Sequence, residues 1–301
     1  MASSQFTDIS TYVVDTGATS AGALAQAVIM QEVRRQAQKR LVWQNLVRTQ
    51  LVAPGARGKS FAMPVIGDAT ASTKTAGHSV TLQDNTDSSV TITVDQHKES
   101  SNIIEDIANI QSNQDVRDYY VKRSLYAIND AIDQYMAGLA CTASTGFNRE
   151  DTAAAGIVAE ADILKALANL DSDKCPTDEG EDMFGVVSAT AKSDILAIAR
   201  FTEINKIGVQ DKIVKGALGT IHGFQLMMSQ NTASTLFSGD SPEEAENYNF
   251  FFHREAMGLV SQIMPRVQLS YQQAYLGWLL TVDSVYGGAV LNSTWGEIID
   301  E

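Results

Sequence analysis

FFHREAMGLV (Phe251–Val260) and, four residues on, PRVQLSYQQAYLGWLLTVDSVYGGAVLNSTWG (Pro265–Gly296) alternate apolar with polar residues and are punctuated by glycine. Both are rich in β-branched and aromatic side chains. Residues two apart share one face of a strand, so this pattern predicts a run of strands, opening at Phe250, that pair and pack. Pro265-Arg266-Val267 is expected to turn the chain into a strand. No constellation of nucleophile, base and metal ligand accompanies the run.

Composition narrows the classes. A chain of 301 residues that is 44% hydrophobic can bury one large or two modest cores, which excludes disorder throughout. The 36 acidic and 22 basic residues give a net charge of −14, unsuited to wrapping nucleic acid or reading its sequence. Two cysteines, Cys141 and Cys175, are too few for a disulfide framework and suit a reducing cytosol, with one bridge between them left open. The N-terminus lacks the basic start and apolar centre of a signal peptide, and no run of about 18 apolar residues occurs. A cytoplasmic chain, not embedded in membrane, is expected.

Upstream of the strands the chain changes character several times. Residues 1–20 are rich in Ser, Thr and Asp, with Tyr12, Val13 and Val14 as their apolar cluster, and read as a flexible arm able to order on a partner. From Ala21 to about Arg48, Ile29, Val33, Ala37 and Leu41 recur every four residues, with Val42 and Leu46 continuing the stripe, which predicts a long amphipathic helix. Between Ala21 and Lys59 seven cations, Arg34, Arg35, Lys39, Arg40, Arg48, Arg57 and Lys59, meet one acid, Glu32. They form either a solvated helix face or a basic arm that meets DNA or the acidic body of a neighbour.

Residues 60–98 read as a long hairpin: an apolar strand from Phe61 to Ile66, a polar excursion containing GDATASTKTAGHS, and an alternating strand with Val90, Ile92 and Val94. So polar a hairpin has little to bury on its own, and an isolated two-stranded ribbon is marginal in water, so it is expected to lean on a neighbouring subunit. Ser112-Asn113-Gln114-Asp115 resembles a cap, and Leu125, Ile128, Ile132, Met136 and Leu139 predict one buried stripe on a helix from Val116 to Leu139, about 36 Å long. Asp130 and Asp133 are assigned mostly to its other face. Residues 155–247 alternate helix (Ala161–Leu170, Lys192–Phe201) and strand (Met183–Val187, Phe224–Met228) signals, an α+β unit.

Chemical motifs are weak. Ala53-Pro54-Gly55-Ala56-Arg57-Gly58-Lys59-Ser60 falls one glycine short of a phosphate loop, and a strand containing Pro64, not a helix, follows it. His78, His97, His222 and His253 show no ligand spacing. Asp171–Asp182 has the acids of a calcium loop, but Cys175 and Pro176 stand where an oxygen ligand and a glycine are required. Asp240, Glu243, Glu244 and Glu246 read as a solvated acidic loop. No cofactor and no metal are expected.

The Phe/His/Arg strand, the Pro-Arg-Val segment, Gly277-Trp278-Leu279-Leu280 and the closing Tyr286-Gly287-Gly288-Ala289-Val290-Leu291 resemble the C-terminal region of tailed-bacteriophage major capsid proteins. Ala217–Asn231 (ALGTIHGFQLMMSQN), where Gly-Phe opens a strand, is similar to another segment of that family, and the order of the pieces agrees over nearly the whole chain. The resemblance implies an α+β capsid fold: an N-terminal arm and basic amphipathic helix (1–56), an extended loop lying across the adjacent subunit (57–98), a peripheral-domain part with a spine helix (99–150), an axial α+β domain (151–247) and peripheral strands (248–301). It implies a non-enzymatic subunit of an icosahedral head around double-stranded DNA, built of pentamers and hexamers in the host bacterial cytoplasm. A portal, decoration proteins and non-specifically contacted DNA are its implied partners. Because the chain opens directly with the arm, a separate scaffolding protein is expected. Some relatives join a loop lysine to a neighbour's asparagine beside a carboxylate base; Lys74, Asn292 and Glu297 supply those residue types. Two alternatives stay open: a bacterial nanocompartment shell of the same fold, and a nucleotide-binding α/β enzyme using Gly58-Lys59-Ser60.

Overall fold

The computed structural model describes residues 13–14, 38–51, 58–65, 71–80, 82, 88–106, 116–142, 145–152, 156–177, 182–198, 219–232 and 247–301. In chain order these form β1 (Val13–Val14), α1 (Trp43–Leu46), β2 (Arg48–Leu51), β3 (Ser60–Val65), β4 (Ser88–Thr93), β5 (Gln96–Glu105) and α2 (Val116–Ala140). Then come β6 (Asn148–Asp151), α3 (Glu160–Ser172), β7 (Met183–Val187), α4 (Ala189–Ala197), β8 (Thr220–Ile221) and β9 (Phe224–Met228). The chain closes with β10 (Tyr248–His253), β11 (Met257–Gln272), β12 (Gly277–Val290) and β13 (Gly296–Asp300).

The strands sort into a five-stranded sheet, β1-β5-β12-β11-β2, a six-stranded sheet, β6-β13-β10-β7-β9-β8, and the separate hairpin β3-β4. The expected C-terminal strands are all present, and β11 and β12 form the longest antiparallel pair, Met257↔Val290 through Gln272↔Gly277. Pro265-Arg266-Val267 is not a turn: β11 runs through it. The register shifts between Ser261 and Ile263 and again between Ile263 and Arg266, so the residue without an N–H falls at an irregularity of the ladder.

β10 explains why the six-stranded sheet sits at the centre. All six of its residues are buried. Phe250 and Phe252 face a core shared with Trp43, Ile128, Ile132, Met136, Val282 and Tyr286, whereas Phe251 faces a second core with Ile163, Leu170, Val187, Ile195 and Phe224. A strand apolar on both faces is what a sheet packed on both sides requires. The first core also joins the two sheets, with Met257 and Leu259 of β11 meeting β10 and α2 there.

The spine helix α2 extends one residue past its expected end, and Ile128, Ile132 and Met136 are buried with Leu125 and Leu139 packed beside them, as the spacing indicates. The strands Met183–Val187 and Phe224–Met228 fall as expected. α3 spans 160–172, and α4 begins three residues before its expected start because Ser188 caps it, its Oγ accepting from Ala191 N at 2.9 Å.

The predicted amphipathic helix is the main correction. Residues 21–37 lie outside the described residues; beyond them Gln38–Val42 is not helical, only Trp43–Leu46 is, and Arg48–Leu51 is a strand parallel to β11. Tertiary partners take the backbone donors a helix would have used: Arg40 N donates to Gln230 Oε1 at 2.8 Å, and Val42 N and Trp43 N donate to Asp133 Oδ1 at 2.9 and 2.8 Å. Trp43 is thereby set into the core, stacked on Phe252 with centroids 5.1 Å apart and edge-on to Phe250. In β12, Gly287 admits the hairpin's root: a Cβ there would lie 2.1 Å from Thr93 O and 2.7 Å from Val94 Cα.

Candidate assembly interface

The hairpin β3–β4 has two unlike ends. At its root Ile92, Val94, Phe61 and Met63 pack on Val260, Val285, Ala289 and Leu291 of β11, β12 and the turn after it, and Val94 N donates to Lys59 O at 2.8 Å. Toward the tip, Val65, residues 71–80 and Leu82 are exposed, the last almost completely. The root belongs to this subunit's core, and the described tip residues bury nothing in it. The apolar Val13–Val14 of the expected arm forms β1, parallel to Ile103–Ile104 at the sheet edge; the rest of residues 1–37 lies outside the described residues.

Residues 39–43 form an extended strap across the spine helix and the loop after β9. Lys39 Nζ donates to Asn231 Oδ1 at 2.9 Å, Tyr126 Oη donates to Lys39 O at 3.2 Å, and Ser229 Oγ donates to Arg40 O at 3.3 Å. Asn231 Nδ2 in turn reaches Asp130 Oδ1 at 2.9 Å and Asp133 Oδ2 at 3.0 Å. Asp133 is fully buried, contrary to its expected place on the polar face. Burial pushes its carboxyl above the usual range against the pull of the donors from Asn231, Trp43 and Val42.

Of the seven candidate cations, Arg34, Arg35 and Arg57 lie outside the described residues. Lys39 is held in the strap, Arg48 Nη1 lies 3.3 Å from Glu255 Oε1, and Arg40 and Lys59 are exposed. The structure therefore engages Lys39 and Arg48 within the subunit. On the face of the five-stranded sheet away from α2, Arg266 donates twice to Asp283, both at 2.9 Å, with His97 Nε2 3.6 Å away. The hydrogen bond from Arg266 holds the Asp283 carboxyl below its ordinary value.

Lys74 is exposed in the loop. Glu297 is buried under α3, where Asn169 Nδ2 donates to it at 2.8 Å and burial raises its carboxyl. Asn292 Oδ1 accepts from Thr294 N at 3.2 Å, closing a short turn. Within one subunit Asn292 and Glu297 thus have separate partners.

The phosphate-loop resemblance lacks its scaffold: residues 52–57 are outside the described set, and Lys59 runs into β3 rather than into a helix N-terminus. Among the described residues no group of three or more His, Cys, Asp or Glu is placed to hold a metal, and no helix is long and apolar enough to cross a membrane. Cys141 and Cys175 are both buried and not joined in a disulfide, so the open question of a bridge resolves against one, and burial pushes the Cys175 thiol up to about 11.

An outward-reaching hairpin rooted in a two-sheet body, together with a spine helix and a strapped N-terminal segment, is an architecture for assembly. The family model described as phage capsid protein matches residues 30–294. The chain belongs to the phage capsid protein family. This capsid protein is similar in fold to the capsid of the cyanophage P-SCSP1u, at 18% identity with 98% of each chain covered and a TM-score of 0.73. The head of Helicobacter pylori bacteriophage KHP40 matches at 12% identity over 91% of this chain and 95% of that one, TM-score 0.73. Mycobacterium phage Che8 matches at 18% identity, 90% and 95% coverage, TM-score 0.70. No curated protein sequence matches the chain. The family is a structural one, and the chain is a major capsid protein, a self-assembling subunit of a phage head.

Proposed function

We propose that this capsid protein closes its icosahedral shell, built of pentamers and hexamers around double-stranded DNA, by laying its extended loop across the adjacent subunit. One observation carries the reading: the hairpin root is packed in the subunit's own core while the described residues of its tip are exposed. Bare apolar side chains at the end of a rooted hairpin gain their burial from another chain.

In this reading residues 1–56 act as arm and basic segment, 57–98 as the loop, 99–150 and 248–301 as the peripheral part, and 151–247 as the axial part. Arg34, Arg35, Arg40, Arg57 and Lys59 face either the packaged DNA, contacted without sequence preference, or acidic surface of a neighbour, while Lys39 and Arg48 of the same basic segment are engaged by Asn231 and Glu255 of their own subunit. A separate scaffolding protein, a portal and decoration proteins complete the head in the host bacterial cytoplasm, and the subunit performs no catalysis. Shell stability then belongs to the assembly, since symmetric contacts close on themselves and each adds to the others by mass action.

Sedimentation velocity on the intact chain and on one with residues 66–87 replaced by a tight turn tests this. The intact chain is expected to run as large closed particles and the shortened chain as free subunits or small rings. A shortened chain that assembles as completely as the intact one would overturn the reading.

A further inference from the structure

Glu297 is a buried acid that forms no ion pair among the described residues. It stands in β13 beneath α3 and is 1% exposed. Opposite it in the sheet are Phe251 of β10 and Asn148 of β6, neither of them charged. It shares a small pocket with Glu150 of β6, Ile299 of β13 and Asp162, Lys165 and Ala166 of α3. Asp162, Lys165 and Asn169 fall at i, i+3 and i+7, on one flank of the helix. Asp173, the residue after α3, adds a further negative charge nearby.

The pocket's donors are unevenly shared. Lys165 Nζ donates to Glu150, which raises the lysine's amine, and more than half of the lysine side chain is in solvent. Asp162 Oδ2 accepts from Ala159 N at 2.9 Å at the start of the helix. Glu297 Oε1 accepts from the Asn169 amide at 2.8 Å, a neutral donor. An ionised Glu297 is therefore a buried charge that faces the like charges of Glu150 and Asp173, whereas a neutral one keeps the Asn169 bond and escapes the repulsion. Burial above all, then Glu150 and Asp173, raise its carboxyl against the pull of Asn169 and Lys165. α3 belongs to the part read above as axial and β13 to the part read as peripheral, so this contact lies on the joint between them.

We propose that Glu297 is a proton-operated clasp at that joint: neutral, it holds α3 and β6 on β13, and ionised, it lets the corner open. The clasp belongs to the single subunit and stands whether or not the loop reaches a neighbour. A carboxyl raised by folding gives stability that is full below the ordinary glutamate value and lost as pH rises through the raised one. Acid therefore tightens this corner and alkali loosens it.

Hydrogen exchange of the full-length subunit, read by mass spectrometry on peptides from α3 and β6, tests the clasp. The opening constant of each peptide is its exchange rate divided by the intrinsic rate at the same pH. In wild type it is expected to rise with pH, by up to about tenfold per pH unit, the limit for release of one proton. Glu297→Gln keeps an acceptor for Asn169 and cannot ionise, so its opening constant is expected to stay flat. Glu150→Gln, at a part-exposed position, covers the case in which Glu297→Gln does not fold. It removes one like charge and frees Lys165 to turn toward Glu297, so the rise is expected to shrink. A wild-type opening constant that does not change with pH would overturn the clasp. So would a rise of wild-type size in Glu297→Gln or, should that chain not fold, in Glu150→Gln.

Discussion

Replacing Asp133 should damage the subunit well before any question of assembly arises. Its carboxylate accepts from Val42 N, Trp43 N and Asn231 Nδ2, and it is fully buried. Asn231 keeps its bond to Asp130 when Asp133 is cut away, so Asp133→Ala orphans two backbone N–H groups. At about 1–3 kcal/mol for each unsatisfied buried donor, and with relief of the carboxylate's own desolvation as an offset, the loss comes to about 3 kcal/mol. Asp133→Asn keeps an acceptor for both N–H groups and sets its amide against that of Asn231, for about 1 kcal/mol. The carboxyl is raised by burial, so the folded state holds its proton more tightly than the unfolded chain does. Wild-type stability from this group is therefore fully present below the ordinary aspartate value and lost as pH rises through the raised one; Asp133→Asn removes that slope. Urea unfolding of the unassembled subunit, followed by tryptophan fluorescence with Trp43 at zero exposure, reads both effects. Two variants that each change stability by less than about 0.5 kcal/mol, the range of an exposed position, would refute the strap as described.

Three further outcomes follow from the same structure. Arg266→Gln should shift the acid-unfolding midpoint upward: the lowered Asp283 carboxyl stabilises above the ordinary aspartate value and loses that contribution as pH falls through its own, so an unchanged midpoint in a circular-dichroism titration would contradict the pairing. Gly287→Ala should cost about 1–3 kcal/mol or more in urea unfolding, because its Cβ meets backbone of Thr93 and Val94, which cannot rotate away; wild-type stability would refute that close approach. Boiled denaturing gels of assembled particles should show the 32.5 kDa band alone, whereas a ladder abolished by Lys74→Ala would establish a lysine crosslink instead.

Much of the fold is legible where local pattern and tertiary need coincide. The stripe on α2 encodes a buried face by its spacing, and the apolar run Met183–Val187 encodes a strand buried on both faces. The segment before Arg48 misleads because its four-residue spacing is real, yet Gln230 and Asp133, 190 and 90 residues away along the chain, capture the donors that would have closed the helix. Asp133 itself carried a signal: it lies three residues before Met136 and next to Ile132, inside the buried stripe, so an acid there implied a partner for its charge. The parallel pairing of β2 with β11 and the bulges at Pro265 depend on contacts no local window contains. Of the assembly surface, the polar loop was readable from composition.

The most direct test of the central claim is negative-stain electron microscopy with light-scattering mass on the chain produced together with the other head proteins and purified without denaturant. Closed shells of uniform diameter, with a mass set by many copies of a 32.5 kDa subunit, are the expected result. Free subunits alone, in the presence of every head protein, would contradict it.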